Sequence, residues 1–411
     1  MLYKEFKGMQ LSALGMGTVR LPLLSENSGD VDIPQVDDIV DAAMKNGINY
    51  YDMGYDYHDF KATKIVGKSL QRYPRESYYV ADKFPLYHPD KLSHVEEVFE
   101  EQLRDCGVDY FDFYLLHNVC ELTLPDCLNP KYGIVEYLLK QKEAGRIRHF
   151  GFSSHGDVEN IREFLDTDVG KHMEFCQIQL NWLDWTFQRA KEKVALLRER
   201  GVAVWVMEPL RGGKLLNLAE EDAAQLKEIR PEETIYSWGL RFLQTVPGVT
   251  MVLSGLSSVK QAEENTRTFS AHKPLSEAEW DALQAIAAKM IEKKILPCTG
   301  CRYCMSHCPK QLNIPKLLDM YKQLCMAPND FIAPRALLAM PVEKRADACI
   351  GCRGCERVCP QGIKISEALA DFVDRADIFF QMRGVDVSAH PPFVRHDGRP
   401  RPSADGALWA R

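Results

Sequence analysis

The sequence predicts an α/β protein: a (β/α)8 TIM barrel followed by a small, mainly helical domain built on cysteines. Three observations carry that expectation. From Leu11 onward, short apolar runs alternate with amphipathic stretches through eight repeats, which is how strands and helices taking turns are written. Many of the amphipathic stretches stop at a glycine or asparagine (Asn46-Gly47, Gly107, Gly145 and Gly201), where a helix C-terminus calls for a left-handed residue. Eight of the thirteen cysteines fall in two runs of one spacing after Leu296.

In chain order, the segment Tyr3 to Ser12 is expected as a hairpin across the barrel's bottom. The strands are expected at Leu14 to Gly17, Asn49 to Asp52, Tyr78 to Lys83, Phe111 to His117, His149 to Ser153, Cys176 to Leu180, Ala203 to Met207 and Thr250 to Ser254. The helices between and after them are expected at Val36–Asn46, Thr63–Arg72, Asp90–Gly107, Gly133–Gly145, Asp157–Leu165, Ala190–Gly201, Glu233–Gln244 and Val259–Thr268. Eight such units in about 260 residues suit a closed barrel. The alternative, an open doubly wound sheet, needs a nucleotide fingerprint. Gly15-Met16-Gly17-Thr18 starts like one but runs into Arg20, Leu21 and Pro22 instead of a helix.

A further helix, Ser276 to Lys293, opens on SEAE, a capping box, and leads straight into Cys298. Ile314–Cys325 and Pro334–Ala348 are helical in pattern, and beyond Phe380 the composition shifts to Pro, Gly and Arg, as in HPPFVRHDGRPRP. The expected organisation is a barrel over 1–275, a linker helix and cluster domain over 276–380, and an extended tail over 381–411 lying on the protein's own surface or on a partner subunit.

Composition narrows the function. A length of 411 residues with 45% apolar content supports one large core and a small second domain, and a net charge of −7 without long runs of one sign gives no reason to expect nucleic acid or a membrane surface. The start MLYKEFKGMQ lacks the apolar segment of a secretory signal, and no apolar run of about 18 residues could span a bilayer. Thirteen cysteines then point to a reducing, cytoplasmic setting in which they serve metals and cores. Cys106, Cys120, Cys127, Cys176 and Cys325 are scattered. Cys176 is expected in the core, and Cys120 and Cys127 lack partners at metal-binding spacing.

The other eight form CTGCRYCMSHCP and CIGCRGCERVCP. Four thiolates at offsets of three, three and four with a closing proline are the bacterial ferredoxin spacing for a [4Fe–4S] cluster, in which the fourth cysteine serves the other copy's cluster. One cluster would take Cys298, Cys301, Cys304 and Cys359, and the other Cys349, Cys352, Cys355 and Cys308. Four-cysteine zinc sites, the competing reading, usually separate two CxxC pairs by a longer loop.

A barrel of this kind has its active site at the C-terminal ends of the strands. Asp52 closes NYYD, Lys83 closes YYVADK and His117 closes FDFYLLH, while Tyr57 follows Asp52 by five residues. Tyr51 and Tyr55 compete with Tyr57, and His58, His88 and His155 near strand ends or loops are expected to be structural.

From about Leu11 to Thr268 the sequence resembles the aldo/keto reductase family. The segments that carry the resemblance are LGMGTVRLP, NYYDMGYDY, the DKF after strand three, YLLH, GFSS, QIQLN and SGLSSVKQAEEN. The resemblance implies a catalytic tetrad of Asp52, Tyr57, Lys83 and His117. Carbonyl reduction leaves an alkoxide that needs a proton, and a phenol of ordinary pKa about 10 is a poor acid at neutral pH. The expectation is that the Lys83 ammonium lowers that pKa, Asp52 keeps the lysine charged, and His117 donates a hydrogen bond to the carbonyl oxygen. The resemblance also implies NAD or NADP stretched across the barrel mouth, at Gly17, Thr18, Ser153, Ser154, Gln177, Leu210, Ser254, Ser257, Glu264 and Asn265. Ser153, Ser154 and Gln177 would hold the carboxamide. Two departures bear on which dinucleotide is used. Met207 stands where many members put an aromatic ring, and Gly255, Leu256 and Gln261, with only Lys260 nearby, stand where NADP users place basic residues.

Hydride chemistry moves two electrons at once and a cluster moves one, so the halves communicate only through a two-to-one splitter such as a flavin, for which no motif is present. The expected function is an oxidoreductase acting on a small-molecule carbonyl or alcohol. The clusters either staple the small domain or relay electrons to a redox protein partner. The alternative from another class is an electron carrier or sensor whose barrel is a docking scaffold.

Overall fold

The computed structural model describes residues 1–411 except 26–29, 121–122, 293–295, 327–331, 383–392 and 394–411. Its strands are β1 (Tyr3–Phe6), β2 (Met9–Ser12), β3 (Leu14–Gly17), β4 (Tyr50–Asp52), β5 (Tyr79–Pro85), β6 (Phe111–His117), β7 (Ile147–Ser154), β8 (Phe175–Gln179), β9 (Ala203–Met207) and β10 (Val249–Gly255). Strands β3 to β10 close as a parallel barrel in the order β10-β3-β4-β5-β6-β7-β8-β9. The doubly wound alternative is thereby set aside.

The hairpin β1–β2 turns at Lys7 and Gly8, both left-handed, the combination that matches the twist of a two-residue connection. Phe6 then packs on Phe113, Phe175 and Trp205, so the bottom of the barrel is filled with rings instead of left as a pore. In the sheet, Asp52 lies beside Ala81, and Ala81, Lys83, Phe113, Leu115 and His117 alternate onto one face through the pairs Ala81–Phe113 and Lys83–Leu115. Ala81, Phe113 and Leu115 belong to the inner core, which puts the polar members of that face directly above it.

Three expectations are corrected. Strand β5 continues to Pro85, so Lys83 sits two residues inside the strand and is wholly buried. The helix expected from Asp90 begins at Val95, because successive turns at His88, Lys91 and His94 satisfy the backbone first. The helix expected over Pro334–Ala348 is Ile332–Leu338 followed by two single 3-10 turns, Val342–Lys344 and Ala346–Ala348. The break falls at Pro341, which has extended backbone and no N–H to give.

The chain divides into compact units at Ala287 and Ala288. The helix Glu277–Glu292 starts on a reciprocal capping box, Ser276 N–H to Glu279 at 2.7 Å and Glu279 N–H to Ser276 at 3.4 Å, as SEAE implied. Trp280 fixes it to the barrel unit by stacking on Phe242, with ring centroids 4.5 Å apart. The second unit has a hydrophobic core of its own, including Leu317, Leu337, Leu369 and Phe372. The 18-residue helix Ile365–Met382, which the sequence reading did not name, supplies much of it. Of the tail expected over 381–411, Gln381 and Met382 are described as the end of that helix and not as an extended arm, and beyond them only Phe393 is described. It is buried in this core, its ring 4.8 Å from the Arg345 guanidinium. Among the described residues no helix is long and apolar enough to cross a membrane.

Candidate functional site

Four side chains from three consecutive strand ends meet inside the barrel mouth. Lys83 Nζ donates to Asp52 Oδ2 at 2.7 Å and also to the Met53 carbonyl. Both members of the pair are buried. Burial alone would lower the Lys83 pKa, but the Asp52 carboxylate and Tyr57 outweigh it, so the ammonium is held above its ordinary range. Lys83 Nζ lies 5.1 Å from the centre of the Tyr57 ring, and that ring meets His117 edge-on with centroids 5.8 Å apart. His117 is pushed well below the usual histidine value by burial first and Lys83 second, and is neutral at neutral pH.

The geometry separates the three tyrosines. Tyr51 points its hydroxyl at the Ile48 carbonyl and its ring at Tyr78, and Tyr55 donates to Glu101 at 3.0 Å. Tyr57 is the one whose ring meets both Lys83 and His117. Two local features place it. At Gly54 an added Cβ would lie 2.6 Å from Tyr57 Cζ, so the ring rests directly on a backbone with no side chain. After Tyr57 the residues His58, Asp59 and Phe60 are all left-handed (φ 52°, 54° and 65°), a strained turn pinned where His58 Nε2 accepts the Leu21 N–H at 3.1 Å. Sequence reading missed Gly54. Its signal was a glycine three residues before Tyr57.

It also missed Asp56 and Tyr87. Tyr87 Oη donates to Asp56 Oδ1 at 2.8 Å and lies 3.0 Å from His117 Nδ1, and His88 Nε2 lies 3.4 Å from Asp56 Oδ2. His155 is half-buried, with Nδ1 out of contact with solvent, and is pushed down to about 3, by desolvation and then by Lys193. A second buried network braces the loops after β8 and β9: Asp184 accepts from Arg211 (2.8 Å), Gln179 (2.7 Å) and Asn181 (2.6 Å).

Around the mouth, Gly17 pairs with Asp52 and the Thr18 hydroxyl donates to the Asp52 carbonyl at 2.9 Å. Ser153 Oγ accepts the Asn118 N–H, Ser154 Oγ donates to the Val119 carbonyl, and Gln177 Nε2 reaches Asp52 Oδ2 at 3.5 Å. Gln177 Oε1 and Asp52 Oδ1 are buried without a hydrogen-bond partner. An orphan acceptor at Gln177 fits a ligand that brings an N–H donor, as a carboxamide does. On and after β10, next to β3, Asn265 donates to Ser254 Oγ at 3.1 Å and Ser257 Oγ donates to the Arg20 carbonyl at 2.8 Å, while Leu210 caps the turn into Arg211. Lys260 pairs with Glu264 at 3.8 Å, and the Gln261 side chain accepts the Ser257 N–H. Met207 ends β9, half-buried.

In the second unit, a pocket is lined by Cys308, Cys349, Cys352 and Cys355, together with Ile350, Arg353 and Leu369. The fourth cysteine of the first run thus faces the second run. Cys304 lies within electrostatic reach of Cys298, Cys301 and Cys359, the converse set, and also of Cys355. Four thiols around one cavity fit an iron–sulfur cluster's donor requirement. Cys352 is exposed, whereas Cys298, Cys301 and Cys359 are half-buried and Cys304 is buried. Of the remaining cysteines, Cys106, Cys120, Cys127 and Cys176 are buried and Cys325 is exposed.

Comparison with known proteins agrees with both halves. A model described as the aldo/keto reductase family matches residues 13–288, and one described as a 4Fe-4S dicluster domain matches residues 297–363. An NADH-specific methylglyoxal reductase of Escherichia coli (strain K12) is 25% identical over 320 residues, spanning 67% of this chain and 95% of its own. Among solved structures, an aldo/keto reductase from Klebsiella pneumoniae in complex with NADP and acetate superposes with a TM-score of 0.56 at 21% identity, over 68% of this chain and 93% of its own. The holo form of an aldo-keto reductase from Bacillus halodurans gives 0.57 at 24%, over 70% and 96%.

Proposed function

This chain belongs to the aldo/keto reductase family, and on that premise we propose that its barrel reduces a small carbonyl compound, or oxidises the corresponding alcohol, with Tyr57 as the acid–base group. The observation that carries the reading is the convergence of the buried Lys83–Asp52 pair, the Tyr57 ring and neutral His117 at the strand ends. A bound nicotinamide dinucleotide would supply or accept the hydride. Tyr57 gives its proton to the developing alkoxide, and the charge of Lys83 stabilises the phenolate left behind. Asp52 keeps Lys83 charged and in place. Gln177, with Ser153 and Ser154 beside it, orients the carboxamide, while Gly17, Thr18, Leu210, Ser254, Ser257, Glu264 and Asn265 line the course of the dinucleotide. The Escherichia coli relative's name makes a small aldehyde such as methylglyoxal the first substrate to try.

In the second unit, Cys298, Cys301, Cys304 and Cys359 hold one [4Fe–4S] cluster, and Cys349, Cys352, Cys355 and Cys308 hold the other. Two observations favour electron relay to a redox partner over a purely stapling role. The unit has its own hydrophobic core, and Cys352 lies at the surface. The test of the main reading is Tyr57→Phe in the cluster-loaded protein. Turnover with methylglyoxal and NADH or NADPH should fall at least about 10²-fold with cluster absorbance unchanged. Full activity in Tyr57→Phe would sink the assignment. Bleaching of the clusters by a nicotinamide, tested anaerobically, would support relay.

A further inference from the structure

The loops after β4 and β5 build a hydrogen-bonded chain onto His117 outside the expected tetrad. It runs from His88 through Asp56 to Tyr87, whose Oη lies 3.0 Å from His117 Nδ1 and 2.8 Å from Asp56 Oδ1. Tyr87 and His117 are buried, and the Asp56 side chain is 14% exposed. A phenol has one proton, and here it has two acceptors beside it. A carboxylate accepts only, and a charge-assisted hydrogen bond is roughly twice as strong as a neutral one. Burial would raise the Asp56 carboxyl, but the hydrogen bonds from His88 and Tyr87 hold it below the usual carboxylate range, so it is ionised. The Tyr87 proton therefore goes to Asp56, and its oxygen is left to accept from His117. Among the described residues, the charged and titratable groups facing His117 are Lys83, Asp56, His155 and His88, with Tyr57 and Tyr87 against its ring. Under their influence and its burial the imidazole is neutral and carries one proton.

We propose that Asp56 and Tyr87 are positioning residues that fix neutral His117 as its Nδ1–H tautomer, so that Nε2 accepts a hydrogen bond at the barrel mouth instead of donating one. The proposal rests on His117 being a site residue and changes its role from the one the family resemblance implied. His117 then receives a hydroxyl, from an alcohol substrate or from Tyr57, and donation to a carbonyl oxygen falls to Tyr57. The experiment is 15N NMR of histidine-labelled, full-length, cluster-loaded protein at pH 7, with the His117 signals identified by their loss in His117→Asn. The expected spectrum shows a protonated Nδ1 and a bare Nε2 in the native protein. In Asp56→Asn, whose neutral amide oxygen competes less well for the Tyr87 proton, a mixture of tautomers is expected. A native ring protonated on Nε2, or an Asp56→Asn spectrum identical to native, overturns the proposal. In kinetics Asp56→Asn should lower kcat about 10²-fold with KM within about twofold, and an unchanged kcat also overturns it. Activity of Tyr57→Phe tests the underlying site reading separately, because the tautomer is read whether or not the enzyme turns over.

Discussion

Asp52→Asn isolates the buried ion pair of the site. Lys83 has no exposed surface, and its partners are Asp52 at 2.7 Å and the Met53 carbonyl. Removing one partner of a buried pair typically costs 3–5 kcal/mol, because the other charge stays behind uncompensated. Here the Met53 carbonyl still accepts, so we expect about 3 kcal/mol at pH 7. In the native protein the Lys83 pKa is raised above 10.5. Its stabilisation is therefore complete below the unfolded value and is lost only as pH climbs through the folded one. In Asp52→Asn only the weaker influence of Tyr57 and Asp82 is left against burial, so the folded pKa is expected to drop below the unfolded one and the penalty to shrink as pH rises, by up to about 1.4 kcal/mol per unit. Urea unfolding followed by tryptophan fluorescence at pH 7, 8 and 9 reads this, since Trp182, Trp185, Trp205, Trp238 and Trp280 all lie in the barrel unit. The double variant Asp52→Asn/Lys83→Met buries no charge and should recover most of the loss. A cost under about 1 kcal/mol at pH 7, a cost that does not fall by pH 9, or a double variant no better than the sum of its singles refutes the reasoning.

Gly54→Ala should lower kcat about 10-fold or more with little change in cluster content, because its Cβ would stand 2.6 Å from Tyr57 Cζ and the ring must move; steady-state rates check it. Cys308→Ala should remove about half the iron per chain, since its thiol lines the cavity of the second cysteine run. Iron analysis that finds the loss confined to Cys349→Ala, Cys352→Ala or Cys355→Ala would contradict the exchange of fourth ligands. His155 has a pKa lowered to about 3, so its stabilising effect is present above pH 6.5 and lost as pH falls through that window. His155→Asn should accordingly flatten the decline of barrel stability between pH 6 and 4 by about 1.4 kcal/mol per unit, read by fluorescence-monitored unfolding.

Much of this molecule was written in local pattern. The alternation of apolar runs with amphipathic stretches determined the barrel. Strands β3, β6 and β9 fall at the residues expected, because a strand buried on both faces leaves an unbroken apolar signature. The spacing of the cysteine runs led to the expected exchange of fourth cysteines, and Cys308 does line the pocket of the second run. The expected tetrad positions came from the resemblance to the aldo/keto reductase family, with which their order along the chain agrees. What the sequence leaves open is any property shared between segments far apart. Tyr51, Tyr55 and Tyr57 are chemically alike in one stretch, and only the closing of β4 against β5, with the turn at His58–Phe60, sets one of them beside Lys83. Asp56 and Tyr87 are 31 residues apart and look like ordinary loop residues until the barrel brings their loops together over His117. Periodicity is a property of one segment, whereas a hydrogen bond between loops, a ring resting on Gly54 and the proton position on an imidazole are properties of packing. Tertiary structure therefore decided them.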